Sequence, residues 1–279
     1  MDHNDITVII LLYRTPRSLL KNIAKYKDFK ILLLDQSNDS TNSKILKKLL
    51  PKIQFYGLTK KNMGFAKAQN FLVRKVKTKY FFSTQPDIDL SVNSILNLKR
   101  TLIKFKKNCI LAVPKIKGLN NIKVPSKKEN LNEYQVKDMI GAAFMADKKK
   151  FIDIGMFDSS FFFYWEDVEL SNRINLSKYD IYLNLKSKAK HKSGTSSNDS
   201  FKTLLIRNIN FKFGEYLFFN KINKLRLIKI IRQTISYFIY GTLSLLILRF
   251  NISLKYFCYF FGILKFLFLS FRKKFMNFF

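Results

Sequence analysis

Ile6-Thr-Val-Ile-Ile-Leu-Leu12, followed by Tyr13-Arg-Thr-Pro16, is the stretch that decides the fold. An unbroken apolar run rich in β-branched residues is what a strand buried on both faces requires. Thr15-Pro16 then opens a helix, with proline in its first turn, where no backbone N–H is needed. Working outward, the alternation repeats. Lys30–Leu34 reads as a second strand, ending at Asp35-Gln-Ser-Asn-Asp-Ser40, with Ser40 or Thr41 capping a helix to about Leu50. Ile53–Tyr56 is a third strand and Ala66–Val76 a helix. Tyr80–Ser83 is a fourth strand, Ser91–Lys106 a helix and Cys109–Val113 a fifth strand. Strands and helices alternating at this spacing predict an α/β fold with a mostly parallel sheet and flanking helices.

Ligands of such sheets bind beyond the carboxyl ends of the strands. Polar clusters fall there: Asp35 after the second strand, Asn62-Met-Gly64 after the third, and Asp87 and Asp89 after the fourth. Asx residues also favour turns for purely local reasons, but three loops distant in sequence converging on one edge predict a crevice. No glycine-rich phosphate cradle of the G-x-G-x-x-G or G-x-x-x-x-G-K-[ST] type is present. A nucleotide bound here needs another neutralising charge. A divalent cation, Mg²⁺ or Mn²⁺, held by one or two carboxylates and completed by phosphate oxygens, supplies it.

Further along, Gly141-Ala-Ala-Phe-Met-Ala146 is a small-residue run suited to close packing. Phe161-Phe-Phe-Tyr-Trp-Glu-Asp-Val-Glu-Leu170 joins an aromatic run to Glu166, Asp167 and Glu169. Aromatic walls raise a carboxylate's pKa and exclude water, as general-base chemistry requires. The competing reading is a helix start, where acids complement the macrodipole. Arg173 is expected to pair with one of these acids. His191 follows a strand-like stretch, Ile181–Leu185. With only two histidines in the chain and His3 near its start, it is the one plausible imidazole ligand, against a purely structural role.

The chain has 279 residues and a formal charge of +32, with 47% hydrophobic residues, which excludes a disordered basic tail. Nucleic acid, an anionic membrane or phosphorylated substrates are the partners such a charge admits. Two cysteines make neither a disulfide scaffold nor a Cys-rich zinc site. Met1–Asp5 is polar and the apolar run behind it short, so no signal peptide is expected and the chain belongs in a reducing cytosol. A boundary near residue 200 follows the polar run Ser193–Ser200. The front part, 1–200, comprises a nucleotide-binding half (1–115) and an acceptor half (116–200). The remainder, 201–279, has 14 Lys and Arg against one acid, Glu215, and 21 of the 43 aromatics. Gln233–Leu248 carries no charge, and Tyr256–Ser270 is interrupted only by Lys265. Helices lying in the interface of an anionic membrane suit this pattern. A helical subdomain, a homo-oligomer contact and a spanning hairpin are the alternatives.

These residues resemble an inverting glycosyltransferase of family two with a GT-A fold, in the bacterial rhamnosyltransferase-like branch. The likeness covers roughly residues 5–200. Leu12-Tyr13 resembles the end of the family's first strand, with Arg14 where Asn is common. Leu34-Asp35-Gln-Ser37 resembles its D-N-x-S loop, with Gln36 for Asn. Asn62-Met-Gly-Phe-Ala-Lys-Ala-Gln-Asn70 is close to N-x-G-F-x-x-x-x-N. Gln85-Pro-Asp87 resembles the N-P-D form of its metal motif. Gly155-Met-Phe-Asp158, Phe162, Glu166-Asp167, Glu169-Leu170 and Arg173 resemble G-x-F-D…F…E-D-x-D-L-x-x-R.

The resemblance implies that Asp35, Asn62, Gly64, Asn70 and Gln85 serve donor binding and that Asp87 and His191 hold the cation. Asp89 lies outside the alignment. Asp167 is the implied general base, with Glu166 beside it. The implied activity is transfer of a sugar from a nucleotide-diphosphate donor to a lipid-linked or membrane-anchored glycan. That chemistry serves bacterial surface polysaccharide or lipooligosaccharide synthesis, by a peripheral protein on the cytoplasmic face of the inner membrane. A basic nucleic-acid-binding protein and an inactive scaffold of the family are the competing functions. The first lacks a reader motif; the second is disfavoured by retention of Asp87, Asp167 and His191.

Overall fold

The computed structural model describes residues 3–37, 41–59, 61–117, 132–191 and 201–276. The chain forms two compact units, Met1–Ser160 with Glu166–Asn198, and Phe161–Trp165 with Asp199–Phe279.

The first unit begins β1 (Ile6–Leu12), α1 (Arg17–Ile23), β2 (Lys30–Asp35), α2 (Thr41–Leu49), β3 (Ile53–Leu58), α3 (Phe65–Lys75) and β4 (Tyr80–Thr84). It continues with β5 (Ile88–Leu90), α4 (Val92–Lys104), β6 (Cys109–Lys117), β7 (Glu133–Val136), β8 (Phe144–Asp147), α5 (Lys148–Asp153), α6 (Glu166–Asn175) and β9 (Asp180–His191). Every residue of β1 is buried, so each contributes roughly 1.5–3 kcal/mol of apolar transfer free energy where its side chain is a full aliphatic. Ser91 Oγ caps α4 by accepting the Ser94 N–H at 3.2 Å, and Asp147 caps α5 through the Lys150 N–H at 3.2 Å. The cap expected at Ser40 or Thr41 lies outside the described residues and side chains.

The strands form one sheet in the order β3-β2-β1-β4-β8-β6-β9-β5, with β7 added alongside β9. β3, β2, β1 and β4 are parallel, as their apolar runs predict. Beyond β4 the expectation of a mostly parallel sheet is corrected. β8 is antiparallel to both β4 and β6, and β5 and β7 are antiparallel to β9, while β6 and β9 are parallel. The strands that run antiparallel to their neighbours are the short ones, β5, β7 and β8, of three or four residues each. Chain order reverses at β1: β2 and β3 lie to one side and β4 to the other. That is a topological switch point. A core cluster is built on residues such as Ile10, Leu33, Phe82, Leu98 and Met145, all fully buried, and Phe81, Phe144, Phe151 and Phe157 pack together as a separate aromatic group.

The second unit is helical: α7 (Phe201–Lys221), α8 (Leu227–Leu246) and α9 (Phe250–Met276). The helices are longer than the uncharged stretches that predict them. α8 starts before Arg232, and the turn into α9 falls at Ile247–Arg249, inside the run read as one helix to Leu248. Gly262 on α9 is required by close approach, since a Cβ there would come within 2.6 Å of the Ile209 carbonyl oxygen on α7.

Candidate active site

Parallel register places the ends of β2, β1 and β4 side by side. Asp35 lies opposite Leu12, and Thr84 opposite Ile10. The loops after these strands therefore share one edge of the sheet. They are tied together by backbone hydrogen bonds. The Gln36 N–H donates to the Leu12 carbonyl, and the Thr59 N–H to the Asp35 carbonyl. Asp35 is fully buried and accepts the Ser37 N–H at 2.9 Å. Arg14, in the left-handed region at φ 48°, donates its N–H to Ser37 Oγ. Gln36, which stands where the family motif has Asn, links two of the loops, because its Oε1 accepts the Met63 N–H at 2.8 Å. Asn62 Oδ1 accepts the Gly64 N–H at 2.8 Å, and Gly64 stands before α3 at φ 81°, ψ 175°. That region is open essentially to glycine alone. The loop after β3 is thus fixed at both ends and its backbone presented at the sheet edge.

Asn70, expected in donor binding, is engaged within the fold. It is 3% exposed, and both ends of its amide are engaged by the turn before the acidic segment. Its Nδ2 donates to the Phe157 carbonyl at 2.7 Å and to Ser159 Oγ at 3.3 Å, while its Oδ1 accepts the Phe157 N–H at 3.1 Å. Its amide fastens α3 to that turn. Gln85 is half-buried in the loop after β4; its backbone carbonyl accepts the Ile88 N–H and closes the turn that carries Asp87.

Asp87 and His191 come together from 104 residues apart. β9 ends antiparallel to β5 with His191 opposite Ile88, so the imidazole arrives beside the residue preceding β5. His191 Nε2 lies 3.3 Å from Asp87 Oδ2. Asp87 is 3% exposed, and its Oδ1 is buried with no hydrogen-bond partner among the described residues. An orphaned carboxylate oxygen beside an imidazole is a donor set that fits a divalent cation whose other positions are filled by phosphate oxygens and water. Among the described residues no group of three or more His, Cys, Asp or Glu side chains is arranged to hold a metal. Asp89 does not join the pair. Strand alternation in β5 turns it outward, where it meets Lys25 Nζ at 2.8 Å.

The acidic segment opens α6, as its composition allows, yet its members have separate surroundings. Asp167 Oδ2 accepts the Gly141 N–H at 3.1 Å and Oδ1 the Val168 N–H at 2.9 Å. Gly141 sits between Asp167 and Phe65, the residue after Gly64; a Cβ there would lie 3.6 Å from Asp167 Cβ and 3.5 Å from the Phe65 ring. Through Gly141, a residue the motifs do not single out as a site member, Asp167 is thereby linked to the loop after β3. Burial pushes the Asp167 carboxyl above its ordinary range, against the lowering effect of the two N–H donors. Glu166 is 6% exposed with Oε2 unpartnered among the described residues. Burial first, and the Asp167 charge second, push it up to about 8. Glu169 is committed elsewhere: Arg173 Nε and Nη2 donate to its two oxygens at 2.7 and 2.8 Å, while the same guanidinium holds the Ile154 and Met156 carbonyls.

Compared with known proteins, residues 10–169 match the sequence profile described as "Glycosyl transferase family 2". No curated protein sequence matches significantly. Among solved structures the chain is similar to GalNAc-T7 with UDP, GalNAc and Mn²⁺, at 16% identity and a TM-score of 0.56, over 77% of this chain and 50% of that one. It is similar to S. aureus TarS 1–349 at 15% identity and a TM-score of 0.56, over 83% of this chain and 69% of that one. It is also similar to the mannosyltransferase PcManGT from Pyrobaculum calidifontis in complex with GDP-Man and Mn²⁺, at 13% identity and a TM-score of 0.55, over 80% and 65%. At these identities the likeness is one of fold. The chain spans half the length of the GalNAc-T7 structure.

Proposed function

The chain belongs to glycosyl transferase family 2, and from that premise we propose that it is an inverting, metal-dependent glycosyltransferase. It moves a sugar from a nucleotide-diphosphate donor to a lipid-linked or membrane-anchored glycan. The observation that carries this reading is the Asp87–His191 pair at the switch-point edge, with one Asp87 oxygen left without a partner among the described residues. The neighbouring structures hold UDP with Mn²⁺ in GalNAc-T7, UDP-GlcNAc in TarS, and GDP-Man with Mn²⁺ in PcManGT, which supports the same ligand class here.

In this reading Asp35 and the Asn62–Gly64 loop hold the nucleoside, and Gln85 flanks it. Asp87 and His191 hold a divalent cation, which when bound offsets the negative charge of the donor diphosphate. Asp167 accepts the proton of the acceptor hydroxyl as its oxygen attacks the anomeric carbon and the bond to the nucleotide diphosphate breaks. Its raised pKa makes it a stronger base than an exposed Asp. Glu166, placed beside it and favouring its protonated form, lowers the negative charge that Asp167 would otherwise face. The branch of the family, the rhamnosyl or other sugar, surface glycan synthesis and a peripheral position on the cytoplasmic face of the inner membrane complete the proposal.

The test is thermal stability with a panel of nucleotide diphosphates and nucleotide sugars, with and without Mn²⁺. Ligand binding raises apparent stability by mass action. A Mn²⁺-dependent rise with one nucleotide, lost in Asp87→Ala and in His191→Ala, is expected. No rise with any nucleotide in the folded protein overturns the proposal.

A further inference from the structure

The helical unit draws three of its cations inward while many of its large apolar side chains are exposed. Glu215, the one acid within α7, α8 and α9, accepts Lys212 Nζ at 2.6 Å and Lys229 Nζ at 3.2 Å. Lys212, 5% exposed, also lies about equally over the Tyr237 and Tyr259 rings, at 5.0 and 5.2 Å. Lys265 Nζ donates to Asn210 Oδ1 at 2.9 Å and lies 4.5 Å over Phe213. These cations are turned inward and partnered. The large apolar side chains are turned outward. On α9, Phe250, Phe261, Leu264, Phe268 and Phe271 are exposed, at spacings of eleven, three, four and three residues, which is one face of the helix. On α8, Ile228, Ile231, Ile235, Phe238, Ile239 and Leu246 form a second such face. The two faces meet where Phe238 packs edge-on against Phe257 at 6.3 Å and tilts against Phe260 at 5.5 Å. Large apolar side chains gathered on the exposed faces of two neighbouring helices mark an interaction site.

Charge indicates the occupant and its orientation. Phe250–Phe271 has a mean hydropathy of 1.6 and is long enough to cross a bilayer. However, exposed cations stand at both ends of the hairpin: Arg226 and Arg232 at the start of α8, Arg249 and Lys255 at and after the turn. Crossing would carry the second pair through hydrocarbon, at high cost. Lying flat leaves both ends in the headgroup layer of one leaflet, and with Glu215 already paired the excess charge suits anionic lipid.

We propose that the α8–α9 hairpin lies in the plane of one leaflet of an anionic bilayer, with Ile235, Phe238, Phe261, Leu264 and Phe268 among the acyl chains and Arg232 and Arg249 at the headgroups. This deepens the membrane part of the function proposed above and rests on it.

The experiment is flotation of the full chain with vesicles of phosphatidylglycerol and phosphatidylcholine in equal parts, and with phosphatidylcholine alone. Wild-type protein is expected to float with the anionic vesicles. Phe261→Ser/Phe268→Ser, both at exposed positions, is expected to lower vesicle partitioning at least roughly tenfold and to keep its thermal transition. Unchanged flotation of this variant overturns the assignment of the face. A lipid-free dimer that the variant dissociates, with vesicle binding unaffected, assigns the face to a second copy instead. Arg249→Cys is expected to react with an impermeant maleimide on intact vesicles, the native Cys109 and Cys258 being buried. Protection until detergent is added means a spanning hairpin and overturns the flat arrangement. If wild-type protein floats with neither vesicle, the membrane reading itself fails, while the nucleotide test of transferase function stands apart.

Discussion

Glu166→Gln is the perturbation on which the description of the acidic segment can be tested most directly. Glu166 is 6% exposed and is pushed up to about 8 from an ordinary 4.5. The folded state therefore binds its proton more tightly than the unfolded chain. Its contribution to stability is complete below pH 4.5 and is lost as pH rises through 8, because across that window the folded state holds more protons than the unfolded one. One pH unit inside the window removes about 1.4 kcal/mol, and the whole shift amounts to roughly 5 kcal/mol as a ceiling. Glutamine preserves the shape of the protonated carboxyl and cannot ionise. The variant is thus expected to lose the part of the wild-type pH dependence that this group causes, about 3 kcal/mol between pH 5.5 and 7.5, and to match or exceed wild-type stability at pH 8. Urea denaturation at several pH values reads this out, followed by the fluorescence of Trp165, the sole tryptophan and the preceding residue in sequence. A variant with the full wild-type slope, or one destabilised by more than about 2 kcal/mol at pH 8, refutes the reasoning, since either result means that the folded protein holds this carboxylate charged.

Asp167→Asn keeps side-chain volume and removes the base; transfer should fall by two to four orders of magnitude, on the order expected for a positioned general base, with donor affinity nearly unchanged. Turnover within tenfold of wild type sinks the assignment. Asn70→Ala should cost roughly 3 kcal/mol of stability, because it strands the Phe157 N–H, and should leave nucleotide affinity within about twofold in the folded fraction; a selective loss of affinity would assign Asn70 to the donor site. Gly64→Ala forces a side chain into a region reserved for glycine at φ 81°, at a cost of order 1–3 kcal/mol, and should weaken nucleotide binding through the loop it distorts. Equal affinity in the variant would show that the loop does not touch the nucleotide.

The first half of the fold is legible in the sequence because strands buried on both faces leave continuous apolar runs, and Pro and Ser mark the helix starts. β1, β2, β3, β4 and β6 and the four helices among them fall within a few residues of expectation. The later strands are not legible in this way. β5 has three residues and carries an outward Asp, and β8 hides in a small-residue run that reads equally well as close packing. Residues 118–131, between β6 and β7, lie outside the described residues. Among site residues, the convergence of Asp35, Asn62 and Asp87 can be read from strand order alone. That Asp89 is spent on Lys25 and Asn70 on Phe157 cannot, because the motif records which residue is present and not which neighbour claims it. Tyr164 and Trp165, at φ 69° and 71°, precede the acidic helix in a conformation that bulky residues rarely adopt, and no residue type announces it.

The Asp87–His191 contact also bears on the order in which the parts of the site come together. Asp35, the Asn62–Gly64 loop and Asp87 emerge within the first third of the chain, on neighbouring parallel strands whose pairings are comparatively local. Their partner imidazole arrives only when β9 docks across the far side of the sheet, a closure of long sequence separation and therefore a late one in folding. The loops proposed above to hold the nucleoside are thus set early, and the imidazole of the proposed cation site is set last.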